Sequence, residues 1–196
     1  MLRNRKRSRN QTLITTLLLF AGLLTVTGVL SMLPRETKNV EEQKTESAAE
    51  EVFLEIQIQE DAVSVFRSFA PPLQGIVTSA YGYRQDPFSG NVSFHKGVDI
   101  AVPEGTEVAA SENGTVKQAA YNGIGGNFII VSHENGTESY YGHLQTRIVS
   151  EGDLVAKGDI IGLSGKTGRV TGPHLHFQLT YHDRTVDPQR YLNLSR

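Results

Sequence analysis

The chain contains no cysteine. Disulfides, thiol catalysis and thiolate ligands are therefore excluded, and any bound metal must be held by nitrogen and oxygen. Excess charge of one sign is also missing: 19 Lys+Arg stand against 21 Asp+Glu, a formal net charge of -2. That balance makes no case for nucleic acid as a partner. No long segment of residues 71–196 carries the helical period of apolar residues. Glycine is scarce before Pro71, where only Gly22 and Gly28 occur, although the chain has 19.

What is present is unevenly spread. Arg3, Arg5, Lys6, Arg7 and Arg9 crowd the tail 1–11, and residues 12–33 carry no charge. An apolar run of about 20 residues suits a bilayer core as a helix. The basic flank should stay in the cytoplasm. The expected arrangement is a single-pass anchor at 12–33 in the cell membrane, with a cytoplasmic N-terminus and the rest of the chain outside. A cleaved signal peptide is the competing reading. Its apolar region is usually only about 7–15 residues, and Val26-Thr27-Gly28 makes a poor cleavage site. Residues 34–70 are acidic, a composition that buries too little apolar surface to fold alone, and read as an extracytoplasmic spacer. Within it, Leu54, Ile56 and Ile58 alternate with polar residues, as in a short strand or a partner-binding segment, and Ser47–Glu51 could equally begin a helix.

From residue 71 to 196 the texture changes. Glycines punctuate short runs rich in Val, Ile, Tyr and Phe, such as Phe128-Ile129-Ile130-Val131. Short β-rich runs between turn signals predict one all-β domain of antiparallel sheets, a sandwich or barrel. Asn135-Gly136 supplies the positive φ angles of a type I′ hairpin turn.

Two groups of histidines carry chemistry by spacing. In His95-Lys96-Gly97-Val98-Asp99, an extended chain puts His95 and Asp99 on one face and Val98 and Ile100 on the other. In His174-Leu175-His176-Phe177, both imidazoles share a face, and Leu175 and Phe177 take the opposite one. One imidazole of such a pair can bind an ion while its neighbour handles protons. Each group alone is a weak signal; two in one cysteine-free β domain point to a metal site built from imidazole and carboxylate, with a position left for water.

The same region resembles the lysostaphin-type (LytM) zinc endopeptidases. The resemblance rests on His95-x-x-x-Asp99 and His174-x-His176, together with Thr78–Arg84, Pro103–Thr106, Tyr141-Gly142-His143-Leu144, Gly162–Gly168, Thr171–Phe177 and Asp187-Pro188. It implies the barrel-sandwich hybrid of that family, one Zn2+ held by His95, Asp99 and His176, and catalytic roles for His143 and His174. Tyr141, two residues before His143, is implied as a substrate contact. The implied activity is hydrolysis of peptide bonds in peptidoglycan. One of His143 and His174 would accept the proton of the attacking water and the other would help hold the oxyanion; which does which stays open. His133, beside the hairpin turn, and His182, in a polar turn, read as structural or solvated. Gly123-Ile124-Gly125-Gly126-Asn127 departs from the usual Gly-Tyr-Gly-Asn of the family and would reshape a loop of the substrate groove.

The alternative is a scaffold or regulator of the cell envelope with an envelope protein as partner, since anchored LytM domains also activate amidases or bridge two membranes in sporulation. A phosphocarrier of similar β architecture fits neither the exported placement nor Asp99.

Overall fold

Strict alternation of buried and half-exposed residues makes His174–Tyr181 the plainest strand of the chain: Leu175, Phe177, Leu179 and Tyr181 are buried, and His174, His176, Gln178 and Thr180 face the other way. Period-two patterning of this kind sets one face against a core. This computed structural model describes residues 61–195 together with Ser47, Ala48 and Val52. The expectations for 1–11, for 12–33 and for most of 34–70 lie outside the described residues. Among the described residues no helix is long and apolar enough to cross a membrane.

In chain order the strands are β1 Ile76–Ser79, β2 Gly82–Gln85, β3 Val92–His95, β4 Val98–Ala101, β5 Glu107–Ala109, β6 Gly114–Asn122, β7 Gly126–Ser132, β8 Thr137–Leu144, β9 Thr146–Arg147, β10 Leu154–Val155, β11 Ile160–Leu163, β12 His174–Tyr181 and β13 Arg184–Val186. The large sheet has the order β1-β4-β12-β8-β7-β6-β10, with β13 on β12; β5-β11-β9 form a second sheet and β2-β3 a hairpin. The strand pairings are antiparallel. Asn135 and Gly136, with φ of 58° and 67°, join β7 to β8 as a type I′ turn requires.

Val98, Ile100, Ile129, Val131, Tyr141, Leu175, Phe177 and Leu179 form the core of the large sheet, and Val108 and Ile161 bring in the small one. Each such side chain contributes about 1.5–3 kcal/mol by leaving water. The opposite face of β4, β12 and β8 is left for polar side chains, and β2-β3 stands beside it.

The end of the stretch read as spacer is part of this fold. Residues 61–65 are helical and continue into the 3-10 turn Phe66–Ser68, and the compact unit runs Glu60–Arg196. Ala62 and Phe66 are fully buried, and Phe66 packs at 4.9 Å from Phe69, 5.0 Å from Tyr191 and 6.3 Å from Tyr181, ring centre to ring centre. An acidic segment too poor in apolar residues to build a core can still dock a few of them into one supplied by the β domain.

Candidate metal centre

Asp99 on β4 and His176 on β12 are opposite residues in the antiparallel register, so both project from the same face. His95 arrives differently from the extended chain expected of 95–99. It ends β3, the chain turns at Lys96-Gly97, and Asp99 lies on β4, in another sheet. The turn needs glycine, because a Cβ at Gly97 would collide with the carbonyl oxygen of Phe177. His95, Asp99 and His176 thus converge from three strands, with ligand atoms all within 4.8 Å of one another.

Hydrogen bonds fix the tautomers. His95 Nδ1–H donates to the carbonyl of Ala80 at 2.9 Å, which leaves Nε2 bare. His176 Nε2 lies 3.4 Å from Gln178 Oε1, which leaves Nδ1 bare. The two bare nitrogens are 3.1 Å apart, and each approaches Asp99 Oδ1, at 3.1 Å from His95 and 2.7 Å from His176. Three lone-pair-bearing atoms this close are mutually repulsive unless a cation sits among them. The donor set, two neutral imidazoles and one carboxylate, fits one divalent metal ion. Burial opposes ionisation of Asp99, but hydrogen bonds and positive charge at the His176 and His95 nitrogens, supplied by protons where a cation would otherwise sit, outweigh it and hold the carboxyl far below the usual range. Arg84 lies beside the carboxylate, with Nη2 3.4 Å from Asp99 Oδ2.

His143 and His174 stand beside the triplet, their rings 4.7 Å apart, and His143 is 5.9 Å from His176. Each spends its Nδ1–H on a carbonyl: His143 on Thr167 at 2.9 Å and His174 on Gly172 at 2.8 Å. Their Nε2 atoms are left as acceptors, that of His174 at 3.6 Å from Asp99 Oδ1. Burial, helped by the neighbouring histidines, pushes the pKa of His143 down to about 4 against the bond to Thr167. It is neutral at pH 7.

Tyr141 requires correction. It is fully buried in the core, where its hydroxyl accepts from Ser111 N–H at 2.8 Å and from Ser139 Oγ at 2.9 Å. The expectation assumed that residues 141 and 143 share a face of a regular strand. Instead β8 bulges: the register with β7 jumps from Ile129↔Tyr141 to Asn127↔Leu144, and His143 has φ of 62°. The extra residue turns His143 to the cleft and leaves Tyr141 on the core side. Tyr140 takes the place expected of Tyr141. It lies 5.9 Å from the His176 ring, stacks on Phe128, and burial pushes its phenol up to about 12.

Five of the six residues singled out, His95, Asp99, His143, His174 and His176, line one cleft of about 680 Å³. Tyr140, Arg84 and Gln178 line it too and were missed. Gln178 had a signal, being the next residue of the His174, His176 face at period two. His133 is structural, its ring nitrogens bonded to the Asn113 carbonyl at 2.8 Å and Ser139 Oγ at 2.7 Å. His182 is exposed in the β12–β13 turn.

Comparison with known proteins places this constellation. Residues 93–188 match the model of peptidase family M23. Peptidoglycan DD-endopeptidase ShyC of Vibrio cholerae is 42% identical over 106 residues, 54% of this chain and 24% of that protein. This chain thus spans about a quarter of the length of the curated relatives it matches. The catalytic domain of the prophage-encoded M23 protein EnpA from Enterococcus faecalis, solved as a mutant, is 32% identical with a TM-score of 0.54, covering 63% of this chain and 97% of that one. The catalytic domain of lysostaphin from Staphylococcus simulans is 36% identical with a TM-score of 0.52, covering 57% of this chain and 87% of that one. A family of metal-dependent peptidases accounts for the His-Asp-His triplet, and this chain belongs to peptidase family M23.

Proposed function

We propose that this protein is a zinc endopeptidase that hydrolyses peptide bonds in peptidoglycan. The observation that carries the reading is that four imidazoles spend their N–H groups on oxygen atoms of the chain and turn their lone pairs into one cleft beside an ionised Asp99. His95 Nε2, His176 Nδ1 and Asp99 Oδ1 are the ligands, a nitrogen and oxygen set that zinc accepts in hydrolytic sites. Zinc there supplies Lewis acidity and makes water a nucleophile at neutral pH.

The remaining work belongs to the chain. His143, kept neutral by burial, accepts the proton of the attacking water at Nε2 and can return it to the leaving amine. His174, its Nε2 turned to the same space, would hydrogen-bond to the developing oxyanion through a proton drawn from solvent in the cleft. Tyr140 keeps its proton at any physiological pH and is a donor to the substrate carbonyl. The peptidoglycan substrate is supported by the name of the Vibrio relative. The charge-free run 12–33 behind a basic tail supports a membrane-anchored enzyme acting outside the cell membrane.

The test is digestion of purified sacculi by the zinc-loaded full chain, with mass spectrometry of the fragments. The expected products carry new peptide termini, and His143→Ala and His174→Ala release none. Intact sacculi, or cuts only in the glycan, defeat the reading. Alkaline extraction of membranes tests the anchor, which should keep the protein in the pellet.

A further inference from the structure

Residues 86–91, 123–125 and 164–173 form loops that bound the cleft, and one residue, through its side chain and its backbone, ties them together. Arg169 Nη1 donates to Asp86 Oδ2 at 2.9 Å and Nη2 to Oδ1 at 2.6 Å. The guanidinium carbon lies 4.2 Å from the centre of the Phe88 ring. The Arg169 backbone N–H donates to the carbonyl of Ile124 at 2.9 Å, which brings in the third loop. Asp86 in turn organises its own loop: Oδ1 accepts from Phe88 N–H at 3.0 Å, Ser89 N–H at 2.8 Å and Ser89 Oγ at 3.1 Å. Arg169 and these three loop donors hold the Asp86 carboxyl well below its ordinary range.

A lone surface ion pair contributes little. This one has the two-pronged geometry that only arginine provides, an aromatic face beneath it and a carboxylate already fixed by its loop. Asp86, Phe88 and Arg169 all line the cleft that holds the histidines. By contrast Thr167, whose carbonyl orients His143, is anchored without Arg169: its hydroxyl donates to Leu144 O at 2.7 Å and accepts from Asn127 N–H at 3.0 Å.

We propose that Arg169 is a positioning residue whose side chain clamps loop 86–91 to loop 164–173, itself joined to 123–125 through the backbone, in one preformed cleft for an extended peptide, so that its effect falls on substrate capture and not on bond cleavage. The inference rests on the peptidase reading. A cleft held open in its working shape spares a bound peptide the cost of ordering the loops.

The test uses the zinc-loaded full chain, a defined cross-linked muropeptide, and Arg169→Gln, Arg169→Lys, Asp86→Asn and the double variant Asp86→Asn with Arg169→Gln. Arg169→Gln should raise KM about tenfold with kcat within about twofold. It should also speed amide hydrogen exchange at residues 86–91 and leave bound zinc unchanged. Lysine, a point charge without the fork, should restore little. The double variant should be no worse than either single one, because both remove the same clamp. A KM and exchange rates equal to wild type overturn the proposal, as do additive losses, a fall in kcat alone or loss of zinc. Exchange at 86–91 needs no turnover, so an inactive wild type would sink the peptidase reading and leave the clamp to be judged by exchange.

Discussion

Tyr140 and Tyr141 are neighbours with opposite duties, and conservative changes separate them. Tyr141→Phe leaves the Ser111 N–H without its buried partner, a loss of about 1–3 kcal/mol in stability. Activity per folded molecule should hold. Tyr140→Phe removes a hydroxyl at the cleft, so kcat/KM should fall about tenfold or more with little change in melting temperature. Paired denaturation and kinetics on the two variants check this, and the reverse pattern would contradict the bulge-based assignment. Gln178 gives a second check. Replacing it by Leu frees the His176 tautomer and should weaken zinc affinity about 10–100-fold, as read by competition with a chelator.

At the scale of elements, the short helical segment before β1 separates two views of where the domain starts. Phe66 is fully buried between Phe69, Tyr181 and Tyr191, so Phe66→Ala should cost about 3–5 kcal/mol. A chain begun at residue 71 loses the whole segment and should melt well below one begun at residue 60. Equal melting temperatures would show the segment to be an ornament. This element illustrates what could be read from the residues and what could not. The His-x-His face of β12 and its buried Leu175 and Phe177 follow from period two alone, whereas the strands around them are legible only as short β-rich runs between turn signals. Residues 61–69 offered only Ala62, Val63, Val65, Phe66 and Phe69 among polar neighbours, and their burial depends on a surface made by β12 and the C-terminal turn. The same limit hid Tyr140. A bulge is a relation between β7 and β8, and nothing local to Tyr-Gly-His announces on which side the extra residue falls. His95 and Asp99 met as expected, but through a turn between sheets and not along one strand, because the glycine at 97 allows β4 to pass close to β12.

For the whole molecule, the buried imidazoles make the metal-free protein sensitive to mild acid. Burial lowers the pKa of His143 to about 4 and lowers that of His133 as well, against 6.5 for a free histidine. Between those values the unfolded chain binds protons that the folded chain refuses, so stability is fully present above pH 6.5 and is lost as pH falls toward 4. His143 accounts for up to about 3 kcal/mol of that loss, reduced by whatever solvent reaches the ring. Asp99, whose carboxyl is held down, acts in the same direction but only below about pH 4, where carboxylates of the unfolded chain begin to protonate. The two effects therefore separate by pH. Urea unfolding of the metal-free chain from pH 7.5 to 4 should show a steady fall, and His143→Gln should flatten much of it. A flat profile in the wild type would mean that the His143 ring is hydrated and already protonated near pH 6, which would remove the basis for its role as a neutral proton acceptor. Added zinc should raise stability at pH 7.5 by mass action, since the folded chain alone presents the assembled triplet. That gain should shrink through the same acid window, because every proton taken up by the cluster opposes a cation among its lone pairs.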